Sequence, residues 1–148
     1  MLVEAQVTIA GTQAAAWAAI TNIRGAADII TGVKKIEIVE EPATGLVGLK
    51  WRETRLYFGE SATVEKRITR ADDGAFYETR AEMDGFVFIT TMTVSEAGGS
   101  IRLTSTHETQ AQGIVAKLKS LPMVFFRGVL KKAILQDLTD IKRAVERR

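Results

Sequence analysis

The sequence predicts an α+β fold: a seven-stranded curved antiparallel sheet, two short helices after strand 1, and a long C-terminal helix packed across the concave face. Three observations carry this. From Ser120 to Val145, the residues Met123, Phe126, Leu130, Ile134, Leu138, Ile141 and Val145 recur at steps of three or four. That spacing is one apolar face of a long α-helix, spanning roughly 39 Å. Before it, six short runs rich in alternating residues follow one another with turn signals between, as in an antiparallel meander. A seventh such run opens the chain, and only a sheet's concave face can receive so wide an apolar helix stripe.

Taken in order, Val3, Ala5, Val7 and Ile9 alternate with Glu4, Gln6 and Thr8, a strand with one buried face. Gly11-Thr12 breaks it, and Thr12 suits a helix N-cap. Thr12 to Thr21 is alanine-rich and reads as a short helix, with Trp17 and Ile20 on it. Ile23 to Ile30 reads as a second, ending near Gly32. Strands are expected at Ile36/Ile38, Val47–Phe58, Ser61–Thr69, Phe76–Met83, Phe86–Val94 and Ile101–Thr109. The turns between them fall at Pro42–Gly45, Gly59, Ala71–Gly74, Asp84-Gly85 and Ala97–Ser100. Ile114 to Lys119 forms a separate short segment, and Pro122 sits near the start of the closing helix, where its missing N–H does least harm.

At 148 residues the chain is read as one domain, 1–148, with enough length for a real core. There are no cysteines and one histidine, so disulfides, thiolate chemistry and an ordinary transition-metal site are not expected, nor is any cofactor. No apolar run is long enough to span a membrane, and the N-terminus has no signal-peptide pattern, so the expected location is cytoplasmic. The net charge of +2 is unevenly placed: Ile114 to Arg148 holds nine basic and three acidic residues. A basic helix either makes weak peripheral contact with an anionic membrane or presents a solvated face. Nucleic acid is not an expected partner, because no strand interleaves basic and aromatic residues.

Four stretches stand out: Asp28 to Val33 with the Ile36/Ile38 strand; Val47-Gly48 followed by Trp51-Arg52-Glu53-Thr54-Arg55; Gly98 to Thr104; and Lys132 to Val145, with its Asp137-Leu138 and Ile141-Lys142 pairs. In this order and spacing they resemble the START-like, Bet v 1-like superfamily (SRPBCC), and most of all its bacterial polyketide cyclase/dehydrase-like branch. The resemblance covers essentially the whole chain. It implies the helix-grip fold and a hydrophobic cavity between the sheet and the long helix. Members bind lipids, sterols, polyketides or plant metabolites, and some cyclise aromatic polyketides. Fold sets the expectation of a cavity, and the site must supply the function.

Alternation nominates the residues that line such a cavity. Leu49, Trp51, Glu53, Arg55 and Tyr57 share one strand face, taken as the inward one, so Glu53 and Arg55 lie close enough to interact. They are a polar anchor for a ligand head group, residues of a wet cavity mouth, or, if the face assignment is inverted, outward-facing residues. His107 shares its face with Ile101, Leu103 and Ser105; it either polarises a ligand carbonyl or is a rim residue. Tyr77, Thr79, Ala81 and Met83 form an inward set, with Tyr77 offering a phenol to the cavity or a hydroxyl to the surface. Phe88 lies on a strand whose two faces the pattern does not separate. On the helix, Met123, Phe126 and Leu130 complete the expected lining, while Leu121, Val124, Phe125 and Val129 form an apolar surplus off the main stripe.

Three functions fit these residues. The first is a carrier or sequestering protein for a small hydrophobic ligand (lipid, sterol-like, quinone or polyketide-like), as monomer or homodimer. The second is a polyketide cyclase/aromatase-type enzyme, a cyclase or dehydratase, with His107, Arg55 and Tyr77 as catalytic candidates and Arg55 stabilising a developing enolate. The third is a protein-binding module using the apolar start of the closing helix.

Overall fold

The computed structural model describes residues 1–57, 59–114, 117 and 126–147. The chain runs β1 (Leu2–Ile9), α1 (Gln13–Thr21), α2 (Ala26–Ile29), β2 (Val33–Glu40), β3 (Lys50–Tyr57), β4 (Glu60–Asp72), β5 (Phe76–Met83), β6 (Phe86–Ala97), β7 (Ser100–Ala111) and α3 (Arg127–Glu146). All seven strands form one antiparallel sheet in the order β1-β7-β6-β5-β4-β3-β2. β2 to β7 pair strictly with their chain neighbours, and β1 closes the far edge against β7, pairing Val3 with His107 and Ile9 with Ile101. The start of the closing helix at Ser120–Phe125, with Met123, lies outside the described residues.

Local chemistry explains the boundaries. The Thr12 hydroxyl accepts from the Ala15 amide at 3.1 Å and starts α1. Asp84 (φ 53°) and Gly85 (φ 81°) are both left-handed, as the tight β5–β6 hairpin requires. β3 begins three residues later than its alternation suggests. Leu46 to Leu49 forms a turn, with the Leu49 amide on the Leu46 carbonyl, and Gly48 (φ 98°) donates to the Ile68 carbonyl instead of continuing the ladder. β4, β6 and β7 run longer than expected, because their ends stay paired up to the hairpin turns. Register shifts in β2–β3 and in β4 after Ile68 bend the sheet.

The core lies between the concave face and α3. Ile134, Leu138, Ile141 and Val145 bury one stripe of α3 against Ile9, Ala16, Ile101 and Leu103 among others. Polar clips fix its C-terminal end and middle. Lys142 Nζ donates to the Thr8 carbonyl at 2.6 Å, and the Ala10 amide donates to Glu146 at 2.8 Å. Asp140, also buried, accepts from the Thr31 amide at 3.0 Å and so ties α3 to the α2–β2 connection. Among the described residues, no helix is long and apolar enough to cross a membrane.

Leu138 is 1% exposed at the centre of the stripe. Leu138→Ala is expected to cost about 2–5 kcal/mol, seen as a lower urea midpoint with an unchanged slope. A loss below about 1 kcal/mol would mean that α3 is not held by this stripe.

Candidate functional site

A cavity opens between the sheet, α1, α2 and α3, with a volume of about 110 Å³. Its wall is mostly apolar on the helix side, with Ile20, Ile23 and Ile30 from the first helices and their flanks and Ile134, Leu138 and Ile141 from α3; Asn22 and Asp137 are the polar exceptions. The sheet supplies the polar lining. Alternation places Trp51, Glu53 and Arg55 of β3, Tyr77 and Thr79 of β5, Thr90 and Met92 of β6, and Ser105 and His107 of β7 on the concave face.

Glu53 is the centre of the polar end. It is 7% exposed, yet its carboxylate takes three donors. Arg55 Nε donates to Oε2 at 2.6 Å, Lys66 Nζ to the same oxygen at 2.8 Å, and Trp51 Nε1 to Oε1 at 3.3 Å. Burial alone would push the Glu53 carboxyl up, but the Lys66 and Arg55 cations more than reverse that and hold it at about 2. Arg55 also reaches α3, with Nη1 2.8 Å from Asp137 Oδ2. Burial pushes the Asp137 carboxyl up, and the facing guanidinium offsets only part of it. Gly32 lies beside this pair: a Cβ there would make ordinary contact with Arg55 Nη1 at 3.5 Å. Among the described residues, no buried side-chain nitrogen or oxygen lacks a hydrogen-bond partner.

His107 faces the cavity two residues from Ser105. Its Nε2 is 2.8 Å from the Ser105 hydroxyl and its Nδ1 is 3.5 Å from Thr90 Oγ1, a long contact. Burial lowers its pKa most, Lys66 and Arg55 lower it further, and it falls to about 4. The imidazole is therefore neutral near pH 7. Tyr77 lines the cavity with its ring only. Its hydroxyl goes neither to the cavity nor to the surface: it donates to the Ile20 carbonyl of α1 at 2.9 Å. Burial first, and the Glu53 charge second, raise its pKa, so the phenol is a poor proton source.

Thus Trp51, Glu53, Arg55, Tyr77 and His107 come together around one space. Four other expected residues are placed outside its lining. Met83 ends β5 beside the hairpin turn and is 41% exposed. Phe88 shares the concave face with Thr90 but lies nearer the turn, its ring 6.2 Å from that of Phe86. Phe126 immediately precedes α3 and is 57% exposed. Leu130 packs against the edge of the core, one turn before the helix reaches the cavity. Met123 and the apolar surplus from Leu121 to Phe125 lie outside the described residues, and Val129 of that surplus is 47% exposed.

Sequence reasoning missed Lys66 and Asp137, although each had a signal. The β3–β4 hairpin turns next to Gly59, and its register sets Lys66 opposite Trp51, on the same face. Asp137 stands three residues after Ile134 and four before Ile141, which makes it a carboxylate on the apolar stripe.

An antiparallel sheet curved around a closing helix, with a lined cavity between them, defines the helix-grip class. A family model described as polyketide cyclase / dehydrase and lipid transport matches residues 2–146, and the chain belongs to that family. Solved structures agree in fold. The Zhui aromatase/cyclase from Streptomyces sp. R1128 has a TM-score of 0.78 at 22% identity, over 100% of this chain and 94% of that one. A START superfamily protein from Mycobacterium smegmatis has a TM-score of 0.72 at 16% identity, over 98% and 94%. TTHA0849 from Thermus thermophilus has a TM-score of 0.78 at 13% identity, over 98% and 97%. No curated protein matches the chain in sequence. Family membership supports a hydrophobic ligand-binding or cyclase role.

The depressed His107 pKa has a stability consequence. Unfolded, the imidazole takes a proton below about 6.5; folded, only below about 4. Between these values the unfolded chain binds the extra proton, so His107 removes stability as pH falls. The stability of wild type minus that of His107→Gln should drop by on the order of 3 kcal/mol from pH 7 to pH 4 in urea titrations. A flat difference would place His107 in solvent.

Proposed function

We propose that this protein binds a small hydrophobic ligand in the cavity between sheet and α3, as a carrier or sequestering protein. One observation supports this most: the cavity has a mostly apolar helix-side wall and, on the sheet side, a buried carboxylate that is paired with two cations and an indole N–H. Such an arrangement orients an amphipathic molecule without needing to react with it. Trp51, Glu53, Arg55, Tyr77 and His107 form the contact surface, with Thr79, Thr90, Ser105 and Asp137 added by the geometry.

A cyclase-type enzyme is the second reading, and His107 favours it. A neutral imidazole faces the cavity beside Ser105 and is free of a proton near pH 7, so it can accept one, although burial and the two nearby cations make it a weak base. Arg55 would then stabilise negative charge on an enolate oxygen. Tyr77 drops out as the acid, because its hydroxyl is committed to Ile20.

Native mass spectrometry of freshly purified protein, followed by organic extraction, tests the ligand-binding reading. A stoichiometric bound apolar molecule is the expected result. A Trp17→Phe variant isolates Trp51 emission for a screen of aromatic and lipid ligands. Protein that is both empty and unresponsive across the screen would contradict the reading. His107→Ala separates the two roles: a carrier keeps its affinity within about threefold, whereas an enzyme keeps affinity and loses turnover.

A further inference from the structure

We propose that the cavity selects a molecule of about one ring that carries a carboxylate, with Arg55 and Lys66 as its counter-charges and Asp137 occupying the carboxylate's place when the cavity is empty. This rests on the ligand-binding reading and narrows it. Size comes first. The volume is about 110 Å³. Pockets for drug-sized ligands hold roughly 300–1,000 Å³. An engineered apolar cavity of about 150 Å³ in another protein takes benzene. The space here is therefore of single-ring scale.

Charge comes second. Both cations converge on one oxygen of Glu53 at 2.6 and 2.8 Å. Glu53 is buried and takes three donors, so it is a fixed part of the site. Asp137 differs. It comes from α3, not from the sheet, its side chain is 24% exposed, and among the described residues its partner is the Arg55 guanidinium alone. Burial already disfavours its charged form. It is thus the carboxylate an incoming one replaces at least cost. The groups facing it are Arg55 and Glu53 from β3 and Lys66 from β4; Asp140, one helical turn on, is committed to Thr31. With the Asp137 carboxyl displaced and protonated, as its burial favours, two cations face Glu53 and one ligand carboxylate, and the charges balance. The same two cations reach His107 and lower its pKa beyond the effect of burial. A ring then lies against Trp51, Ile23 and Leu138.

The test compares benzoate with benzyl alcohol, the same ring without the charge, by calorimetry on wild type and Asp137→Asn. Asn keeps the shape and removes the competing charge. A charge-assisted hydrogen bond predicts that benzoate binds wild type roughly tenfold or more tighter than benzyl alcohol. Asp137→Asn should tighten benzoate further and leave benzyl alcohol unchanged. Lys66→Gln should weaken benzoate, and the Glu53→Gln/Lys66→Met pair should do the same without stranding a buried carboxylate. Equal binding of the two rings, or an Asp137→Asn shift common to both, overturns the charge preference and leaves the cavity reading standing. Failure of benzoate to bind either protein at millimolar concentration overturns the inference as well; bound material found by native mass spectrometry would still uphold the cavity reading.

Discussion

A carboxylate buried inside a sheet is the constraint on which the rest of this structure turns. Glu53 sits on the concave face of β3 with almost no solvent contact. An isolated carboxylate there would give up its charge. Instead it holds a guanidinium, an ammonium and an indole N–H. These three donors come from β3 and its hairpin partner β4, so satisfying the carboxylate also fixes which faces of two strands look inward. Arg55 then carries the network across the cavity to α3 through Asp137. Removing one partner of such a network strands the others and costs about 3–5 kcal/mol, whereas forming it is close to neutral. The network therefore specifies geometry more than it adds stability.

The cavity exists because the side chains that face it are short or tethered. Thr79, Thr90 and Ser105 occupy positions where a β-sheet core would otherwise carry Val, Ile or Phe, and Ala19 and Ala26 do the same on the helix side. Tyr77 is long enough to fill the space, yet its hydroxyl is drawn to the Ile20 carbonyl and its ring stands edge-on to Trp17 at 6.2 Å. A dry void of about 110 Å³ would cost roughly 3 kcal/mol. Polar groups on its sheet side can be met by water or a polar head group, which is what the proposed ligand-binding role requires.

Much of this was legible in the sequence. The period-two runs gave the strands, the Asp84-Gly85 pair fixed a hairpin, and the Ile134/Leu138/Ile141/Val145 spacing gave the helix stripe. Strand alternation put Trp51, Glu53 and Arg55 on one shared face, and Ser105 and His107 on another; it did not by itself say which side looks inward. What alternation does not give is depth along a strand. Met83 and Phe88 share faces with cavity residues but stand near the β5–β6 turn, beyond the cavity's end. Leu130 fails in the same way on the helix: it has the right face one turn too early. Lys66 and Asp137 escaped because the faces of the Ser61–Thr69 strand were not assigned and Asp137 was read only as part of the closing-helix pattern. Their partners, not their own types, make them interior.

One measurement tests the central claim, that ligands enter at the Glu53 network. The two indole N–H groups give separate signals in a ¹⁵N correlation spectrum. Trp51 Nε1–H donates to Glu53 inside the cavity, while Trp17 Nε1–H donates to Asp73 outside it. On titration with a bound ligand, the Trp51 signal should move and saturate while the Trp17 signal stays nearly in place. A shift at Trp17 with Trp51 unmoved would put the ligand elsewhere and contradict the claim.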